Sequence, residues 1–142
     1  MRHSMAYVML VGTDSALLEG LAQTLGGLGH RLAVVASLAE ARELSAARSP
    51  LVLVVDREIA SSVGGELLAM PVAPGGARIL YRVASQPPTA LLPALQRAVL
   101  ADLTLPLERH RLSALCQSLA DRAQTTGRNS VTTPDSNPVV DP

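Results

Sequence analysis

The chain contains no lysine, so all 12 of its basic residues are arginine. They balance 12 acidic residues, which gives a formal net charge of zero, and they are spread from Arg2 to Arg128. Proteins that bind nucleic acid usually gather their basic residues into one patch or stripe that neutralises phosphates. The charge distribution therefore argues against nucleic acid as a partner of this domain.

Cysteine and long apolar runs are scarce as well. Cys116 is the only cysteine, which excludes an internal disulfide and a cysteine-based metal site and fits a reducing compartment. We expect it to be a small apolar core residue. No apolar run approaches the roughly 20 residues that span a bilayer, and no small-residue cleavage site follows the short run at residues 5–11. We therefore expect a cytoplasmic protein with no membrane contact.

The motifs of several enzyme and nucleotide-binding classes are also missing. The sequence has no GxGxxG, P-loop or GxSxG motif, and no cluster of histidine, cysteine and carboxylate residues. His3 lies near the terminus and His30 at the start of a predicted strand, so neither is placed for catalysis. We predict that the protein is not an enzyme.

What the chain does contain is a regular alternation of short aliphatic runs with segments of helical period. This alternation is typical of βα units around a parallel sheet. The predicted strands cover residues 7–11, 31–36, 51–55, 78–83 and 101–105. Five units with right-handed crossovers predict one α/β domain of the flavodoxin-like type, with a doubly wound five-stranded parallel sheet in the order 2-1-3-4-5.

The segments between the strands carry helix signals. The first helix follows Asp14-Ser15, and the second opens with Ser37 and Glu40 as a capping box. The third, at residues 62–70, should be short or frayed because Gly64-Gly65 lies inside it. The fourth follows residues 87–89, has Pro93 in its first turn and runs through residue 100. The predicted apolar faces of the first and last helices comprise Leu17, Leu21, Leu25 and Leu28, and Leu112, Leu115, Cys116 and Leu119.

Length and composition predict a single folded domain with two flanking segments. We assign residues 1–5 to an N-terminal extension and residues 6–123 to the domain. Residues 124–142 are rich in Thr, Ser, Asn, Pro and Asp and offer few large apolar side chains to offset the entropy of ordering. We therefore predict that they form a disordered tail or linker.

Asp56 is the most informative single residue, because it closes the apolar run at residues 51–55. In open α/β sheets the carboxyl ends of the strands face the crevice where ligands bind. In the predicted order the first and third strands are neighbours, so Asp56 should face the loop Gly12-Thr13-Asp14-Ser15. Locally, Asp56 is explained equally well as a cap of the loop before the next helix.

These features together resemble the receiver domain of two-component response regulators over residues 6–122. The resemblance places Leu10-Val11 before the acidic corner, Asp56 at the phosphoacceptor position, and Leu105-Pro106 at the lysine-proline position that follows the fifth strand. It implies an aspartate that attacks a phosphohistidine donor and becomes an aspartyl phosphate. It also implies Mg²⁺, held by two adjacent acidic residues after the first strand.

The chain keeps an aspartate at the phosphoacceptor position but departs from that pattern at the positions that bind Mg²⁺ and the phosphoryl oxygens. Gly12 and Thr13 replace the acidic pair, and we expect the next residue, Asp14, to cap the first helix rather than bind metal, with Ser15 as the competing cap. We therefore expect weak or absent Mg²⁺ binding and no other cofactor. Leu105 stands at the position where the pattern has a lysine. Its apolar side chain cannot stabilise the phosphoryl oxygens electrostatically.

Two switch positions of the family are also changed. Arg82 stands where the family has a small hydroxyl residue near the end of the fourth strand. Asp102 stands where the family has an aromatic residue on the fifth strand. Arg82 either neutralises Asp56 with its guanidinium or is a solvated charge at the strand end. Tyr81 should point to the opposite face of the sheet.

The interpretation that we favour is a pseudo-receiver, a signalling module that binds proteins without a phosphorylation switch. Its partner would be a histidine kinase, an output domain or a second copy, docked on the face formed by the fourth helix, fifth strand and fifth helix. That face includes Gln96, Arg97, Glu108, Arg109, His110 and Arg111. One alternative is a slow but functional phosphoacceptor at Asp56. Another is a flavodoxin-like domain that binds a small molecule.

Overall fold

The computed structural model describes residues 4–87 and 90–132, with only the backbone described for residues 126–132. The strands are β1 (Tyr7–Val11), β2 (Arg31–Val35), β3 (Val52–Asp56), β4 (Ala77–Val83) and β5 (Val99–Leu105). The helices are α1 (Ser15–Gly27), α2 (Leu38–Ala47), α3 (Arg57–Val63), α4 (Glu66–Ala69), α5 (Pro93–Ala98) and α6 (Arg109–Thr132). Within these described residues no helix is both long and apolar enough to cross a bilayer.

The five strands form one parallel sheet in the order β2-β1-β3-β4-β5, as the sequence predicts. The central strand β3 is buried along its whole length, which explains why its sequence is an uninterrupted aliphatic run. Val11 of β1 is in register with Val55 of β3. The loops that follow these two strands therefore leave the sheet side by side.

The core has two halves because alternate residues of each strand point to opposite faces of the sheet. Val8 and Leu10 of β1 pack on the face covered by α1 and α6, together with Leu18, Leu112 and other apolar residues of those helices. Met9 and Val11 pack on the opposite face with apolar residues of α2, α3, α4 and α5. Helices on both faces make the fold doubly wound, which confirms the predicted fold class.

Helix α1 begins where predicted, but its buried face differs in part from the predicted one. The carboxylate of Asp14 caps the helix by accepting a hydrogen bond from the amide of Leu17 at 3.1 Å, as predicted. The buried residues are Leu18, Leu21 and Leu25, whereas Leu28 is 40% exposed. The assignment of Leu28 to the apolar face was wrong because the helix ends at Gly27 and the chain then turns.

Helix α2 has a variant of the predicted capping box. The hydroxyl of Ser37 accepts a hydrogen bond from the amide of Glu40, but the Glu40 carboxylate accepts from the amide of Ala36 rather than from that of Ser37. Strand β2 accordingly ends at Val35, one residue before the predicted end. Two backbone amides at the start of this helix, those of Ala36 and Glu40, are therefore satisfied by side chains.

The predicted third helix is two short helices, which shifts the numbering of those that follow. Helix α3 begins directly after Asp56, so the predicted start at residue 62 was wrong. The helix stops at Gly64, whose φ of 59° lies in the left-handed region that glycine adopts most readily. The predicted weakness at the glycine pair is therefore confirmed as a break between α3 and α4.

The fourth and fifth predicted helices are α5 and α6. Helix α5 has Pro93 in its first turn as expected, but it starts at that residue rather than directly after residue 89. It ends at Ala98 because Val99 already pairs with Arg78 of β4, so the predicted extension to residue 100 was wrong. On α6, Leu112, Cys116 and Leu119 are buried and Leu115 is half-buried. Helix α6 continues past residue 124 to Thr132, a segment without proline, and the rest of the predicted tail lies outside the described residues.

Candidate functional site

The candidate site is built around Asp56, the last residue of β3. The residue is 5% exposed, and its carboxylate accepts a hydrogen bond from the amide of Glu58 at 2.9 Å, which makes Asp56 the N-cap of α3. The capping interpretation of this residue is therefore confirmed, and its functional role stays a prediction. Asp56 lies at the carboxyl edge of the sheet, where β3 ends. Its Oδ1 atom already accepts the hydrogen bond that caps α3.

The loop after β1 supplies the neighbouring residues. Gly12 donates its amide to the carbonyl of Val35 at 3.0 Å, and this bond fixes the loop against the end of β2. Thr13 is exposed, and Asp14 is committed to capping α1. The loop therefore brings a single carboxylate, already hydrogen-bonded, to the edge of the sheet where Asp56 lies.

Tyr81 is the residue of this site that sequence analysis missed. It is paired with Asp56 across the β3–β4 ladder, is 1% exposed, and points to the face covered by α1 and α6. Its hydroxyl group reaches the loop after β1 and contacts Gly12. Among the described residues that hydroxyl has no hydrogen-bond partner. The aromatic side chain of Tyr81 therefore fills, from inside the core, the space next to Gly12 and Asp56, which we call the Asp56 pocket.

The electrostatics of the pocket disfavour negative charge. Burial raises the pKa of Asp56, the hydrogen bond from the Glu58 amide opposes that rise, and the nearby charges of Glu58 and Asp14 add to it. Burial also raises the pKa of Tyr81, reinforced by the charges of Asp56 and Asp14, so the phenol stays neutral. Within the described part of the chain no arginine forms an ion pair with Asp56.

Arg82 does not take the neutralising role that the sequence left open. Its guanidinium donates a hydrogen bond to the carbonyl of Gln86 at 3.3 Å, while the Gln86 side chain accepts from the amide of Val83. Arg82 is half-buried rather than fully solvated and closes the turn that follows β4. Tyr81 and Arg82 point to opposite faces, as predicted, but the tyrosine is the one beside Asp56.

Asp102 and Leu105, the two altered positions on β5, have different environments. Asp102 forms an ion pair with Arg57, the first residue of α3, so the residue next to Asp56 is tied to the edge strand. Leu105 is fully buried in the core, and the Leu105–Pro106 peptide bond is cis. Sequence analysis did not identify Arg57, although its position directly after Asp56 was a usable signal.

The residues present do not fit the Mg²⁺ ion that the resemblance implies. Mg²⁺ requires several hard oxygen ligands in near-octahedral geometry. The carboxylate of Asp56 already caps α3 and that of Asp14 caps α1, Glu58 is exposed, and the phenol of Tyr81 is neutral. Across residues 4–87 and 90–132 there is no group of three histidine, cysteine or acidic residues suited to a metal.

The fold matches solved structures, although no protein-family model and no curated protein matches the sequence. NtrX from Brucella abortus, solved with ADP, superposes with a TM-score of 0.69 at 16% identity over 90% of this chain. A response regulator receiver domain protein from Clostridium thermocellum gives 0.61 at 17% identity over 85% of this chain. A CheY-like receiver domain protein from Methanospirillum hungatei gives 0.65 at 16% identity over 87%.

The two kinds of match differ in how much of the other protein they cover. This chain spans only 29% of the NtrX chain, but 98% and 99% of the two receiver domain proteins. Identities this low establish the fold and not the activity. The chain therefore has the architecture of response-regulator receiver domains.

Proposed function

We propose that this chain is a receiver-like signalling module of a two-component pathway, and that it acts through protein contacts without being phosphorylated. It would be a binding module rather than an enzyme, and we place it in the cytoplasm. The observation that carries the proposal is that the side chain of Tyr81 fills the pocket beside Asp56. Asp56 is buried as a helix cap beside a neutral tyrosine, Gly12 and Thr13 stand where the family has its acidic pair, and the chain has no lysine.

The energetics support the absence of phosphoryl transfer. An acyl phosphate on Asp56 would put a dianion into a place where burial and the charges of Glu58 and Asp14 already raise the pKa of the carboxyl group. Buried charge is costly unless it is paired and hydrogen-bonded. Leu105, at the position where the family has lysine, is apolar and buried, so it offers no such pairing.

The surface that we propose for docking is the α5–β5–α6 face, defined by Gln96, Arg97, Glu108, Arg109, His110 and Arg111. Two exposed leucines extend it: Leu100 is 48% exposed on the edge strand, and Leu107 is 76% exposed in the β5–α6 loop. Exposed apolar side chains within a charged rim are a frequent composition of protein interfaces. The partner would be a histidine kinase, an output domain or a second copy of this chain.

The direct test is intact-mass measurement after incubation with acetyl phosphate and Mg²⁺. We expect no phosphoryl adduct on the wild-type chain under conditions that saturate a conventional receiver domain, and no difference between wild type and Asp56→Asn. An Mg²⁺-dependent adduct that Asp56→Asn abolishes would support the slow phosphoacceptor instead. That outcome would refute the proposal.

A partner titration separates the proposed mode of binding from a phosphorylation switch. Once a kinase or output domain has been paired with this chain, its affinity should be the same with and without acetyl phosphate plus Mg²⁺. Substitution of Arg97 and Arg111 by serine should weaken that binding, whereas the same change at Arg42 on α2 should leave it unaltered. Affinity that increases with the phosphodonor would count against the proposal.

Small-molecule binding remains the alternative from a different class. A groove of about 410 Å³ lies between α1 and the β5–α6 loop and is lined by Ala16, Leu17, Gly20, Leu21, Pro106 and Arg109, among others. Its volume is within the range of ligand pockets, but few polar groups converge on it. A thermal-shift screen with nucleotides and flavins tests this alternative, and we expect no stabilisation.

A further inference from the structure

Gly12 and Tyr81 fit each other so closely that position 12 has no room for a side chain. A Cβ atom built on Gly12 would overlap the hydroxyl oxygen of Tyr81 and lie 3.2 Å from its Cζ and 3.3 Å from Leu18 Cδ1. Leu18 is itself fully buried, and Tyr81 is held in the core between β4 and α1. Neither neighbour can swing into solvent to make space.

Backbone conformation is not the reason for glycine at this position. The described glycines with positive φ are Gly29, Gly64 and Gly75, and Gly12 is not among them. A substitution at position 12 therefore meets no left-handed strain. The obstacle is steric, and the atom that creates it is the tyrosine hydroxyl.

We propose that Tyr81 is the residue that closes the Asp56 pocket: its phenol takes the space in front of Gly12, so that no carboxylate can stand there beside Asp56. Glycine at position 12 and tyrosine at position 81 then depend on each other and form one structural feature. The proposal deepens the proposed function, because it names the residue that makes the pocket unable to hold a cation.

The chemistry follows from the register of the strands. Val11 pairs with Val55, so residues 12 and 56 leave the sheet at the same edge, one from each of two neighbouring strands. A carboxylate at position 12 would add a second set of hard oxygens next to those of Asp56, which is what a divalent cation needs. Tyr81 contributes a neutral hydroxyl group in that place.

A double-mutant cycle in thermal unfolding tests the steric coupling. Gly12→Ala adds the atom that overlaps the hydroxyl, and Tyr81→Phe removes that hydroxyl. We expect Gly12→Ala to lower the melting temperature by at least about 4 °C in the wild-type background and by less than half as much in the Tyr81→Phe background. An equal loss in both backgrounds would overturn the proposal.

Gly20→Ala in α1 is the matched control, because nothing lies within 4 Å of a Cβ atom at that position. It should shift the melting temperature equally with tyrosine or phenylalanine at position 81. If Gly12→Ala fails to fold in the wild-type background, recovery of the folded state with Tyr81→Phe supports the proposal. Failure in both backgrounds overturns it.

A second arm measures cation binding with Mn²⁺ alone as the probe, by isothermal titration calorimetry. We expect Gly12→Asp combined with Tyr81→Val to bind Mn²⁺ at least about tenfold more tightly than Gly12→Asp alone. Equal affinity, or no binding by the double variant, would overturn the role of Tyr81 in excluding the cation.

The two proposals fail in different ways. Phosphorylation of the wild-type chain would refute the proposed function, whereas additive effects in the double-mutant cycle would refute the coupling of Gly12 and Tyr81. Each result leaves the other measurement interpretable, since the first is made on the unchanged chain and the second on variants without any phosphodonor.

Discussion

At the scale of single residues, the pocket contains two polar groups held in environments that suit their neutral forms. Asp56 is buried and caps α3, and the hydroxyl of Tyr81 is buried without a hydrogen-bond partner among the described residues. Both groups pay a desolvation penalty that their contacts offset only in part. Removing the charge of Asp56 or the hydroxyl group of Tyr81 should therefore cost little stability, in contrast to the usual effect of a substitution in a core.

Asp56→Asn should raise the stability of the protein at pH 7. Because the pKa of Asp56 is raised in the folded state, the folded protein holds more protons than the unfolded one between the unfolded and folded pKa values. The free energy of unfolding therefore falls as pH rises through that window. Asparagine removes the charge and can still accept the Glu58 amide hydrogen bond.

Melting temperatures of wild type and Asp56→Asn, measured between pH 7 and about pH 4, check this prediction. The advantage of the variant should shrink as pH falls and the wild-type carboxyl group becomes protonated. Glu43→Gln on the exposed side of α2 serves as a control and should show little difference at either pH. A variant less stable than wild type at pH 7 would contradict the expected sign.

Tyr81→Phe should leave stability unchanged or increase it. Deleting a buried hydroxyl that has no partner removes a desolvation cost and preserves the packing of the ring. Urea unfolding followed by circular dichroism measures the free energy difference. A loss of more than about 1 kcal/mol would mean that the hydroxyl group makes a hydrogen bond in solution.

At the scale of secondary-structure elements, Arg78 of β4 holds the short helix α4 in place. Its guanidinium donates hydrogen bonds to the carbonyls of Leu67, Leu68 and Met70, with distances of 3.2, 3.2 and 2.6 Å. Carbonyls at the end of a helix lack partners within it, and here only that of Leu67 also accepts a bond from the backbone, the amide of Met70 at 3.3 Å. A four-residue helix next to Gly65 has little stability of its own, so the arginine contributes much of what fixes it to the sheet.

We expect Arg78→Met to destabilise the protein by roughly 2–3 kcal/mol, since it removes three charge-assisted hydrogen bonds to carbonyl groups at the end of α4. Arg78→Lys should restore only part of this loss, because an ammonium group does not reproduce the planar fork of a guanidinium. Arg42→Met is the control; its exposed ion pair with Glu66 should be worth less than about 1 kcal/mol. Urea unfolding provides the values, and similar losses at Arg78 and Arg42 would contradict the prediction.

The elements also show what local sequence can and cannot specify. The strands were predictable because each is a short aliphatic run, and the start of α1 because Asp14 is a strong cap. The start of α3 was not, because Asp56 belongs to the strand and caps the helix at the same time. The Arg57–Asp102 ion pair joins residues 45 positions apart and depends on the alignment of three strands, which no local pattern encodes.

At the scale of the whole molecule, the sheet and its two core halves should unfold as one unit. Tyr7 lies on β1 and Tyr81 on β4, and the chain has no tryptophan, so tyrosine fluorescence reports on two separated strands. We expect the urea transitions monitored by tyrosine emission and by far-ultraviolet circular dichroism to coincide, as in a two-state domain. Separate midpoints would show that one part of the sheet opens independently.

The topology was predictable at this scale, whereas the interior of the pocket was not. Five βα units with right-handed crossovers leave few arrangements, and the order of the strands followed from them. The position of the Tyr81 ring depends on the register between β3 and β4 and on the reach of an aromatic side chain to another loop. The rarity of aromatic residues was the available signal for the importance of Tyr81, since the chain has only two tyrosines and no phenylalanine.

The close fit of Gly12 and Tyr81 has a consequence for how such a sequence can change over time. A single substitution that introduces an acidic residue at position 12 meets the hydroxyl group of Tyr81 and should be penalised at once. Tyr81→Phe removes that hydroxyl and keeps the ring in place, whereas a smaller residue at position 81 opens a void in the core. A carboxylate at position 12 is therefore tolerated only after position 81 has changed, so the order in which the two substitutions occur decides whether either survives.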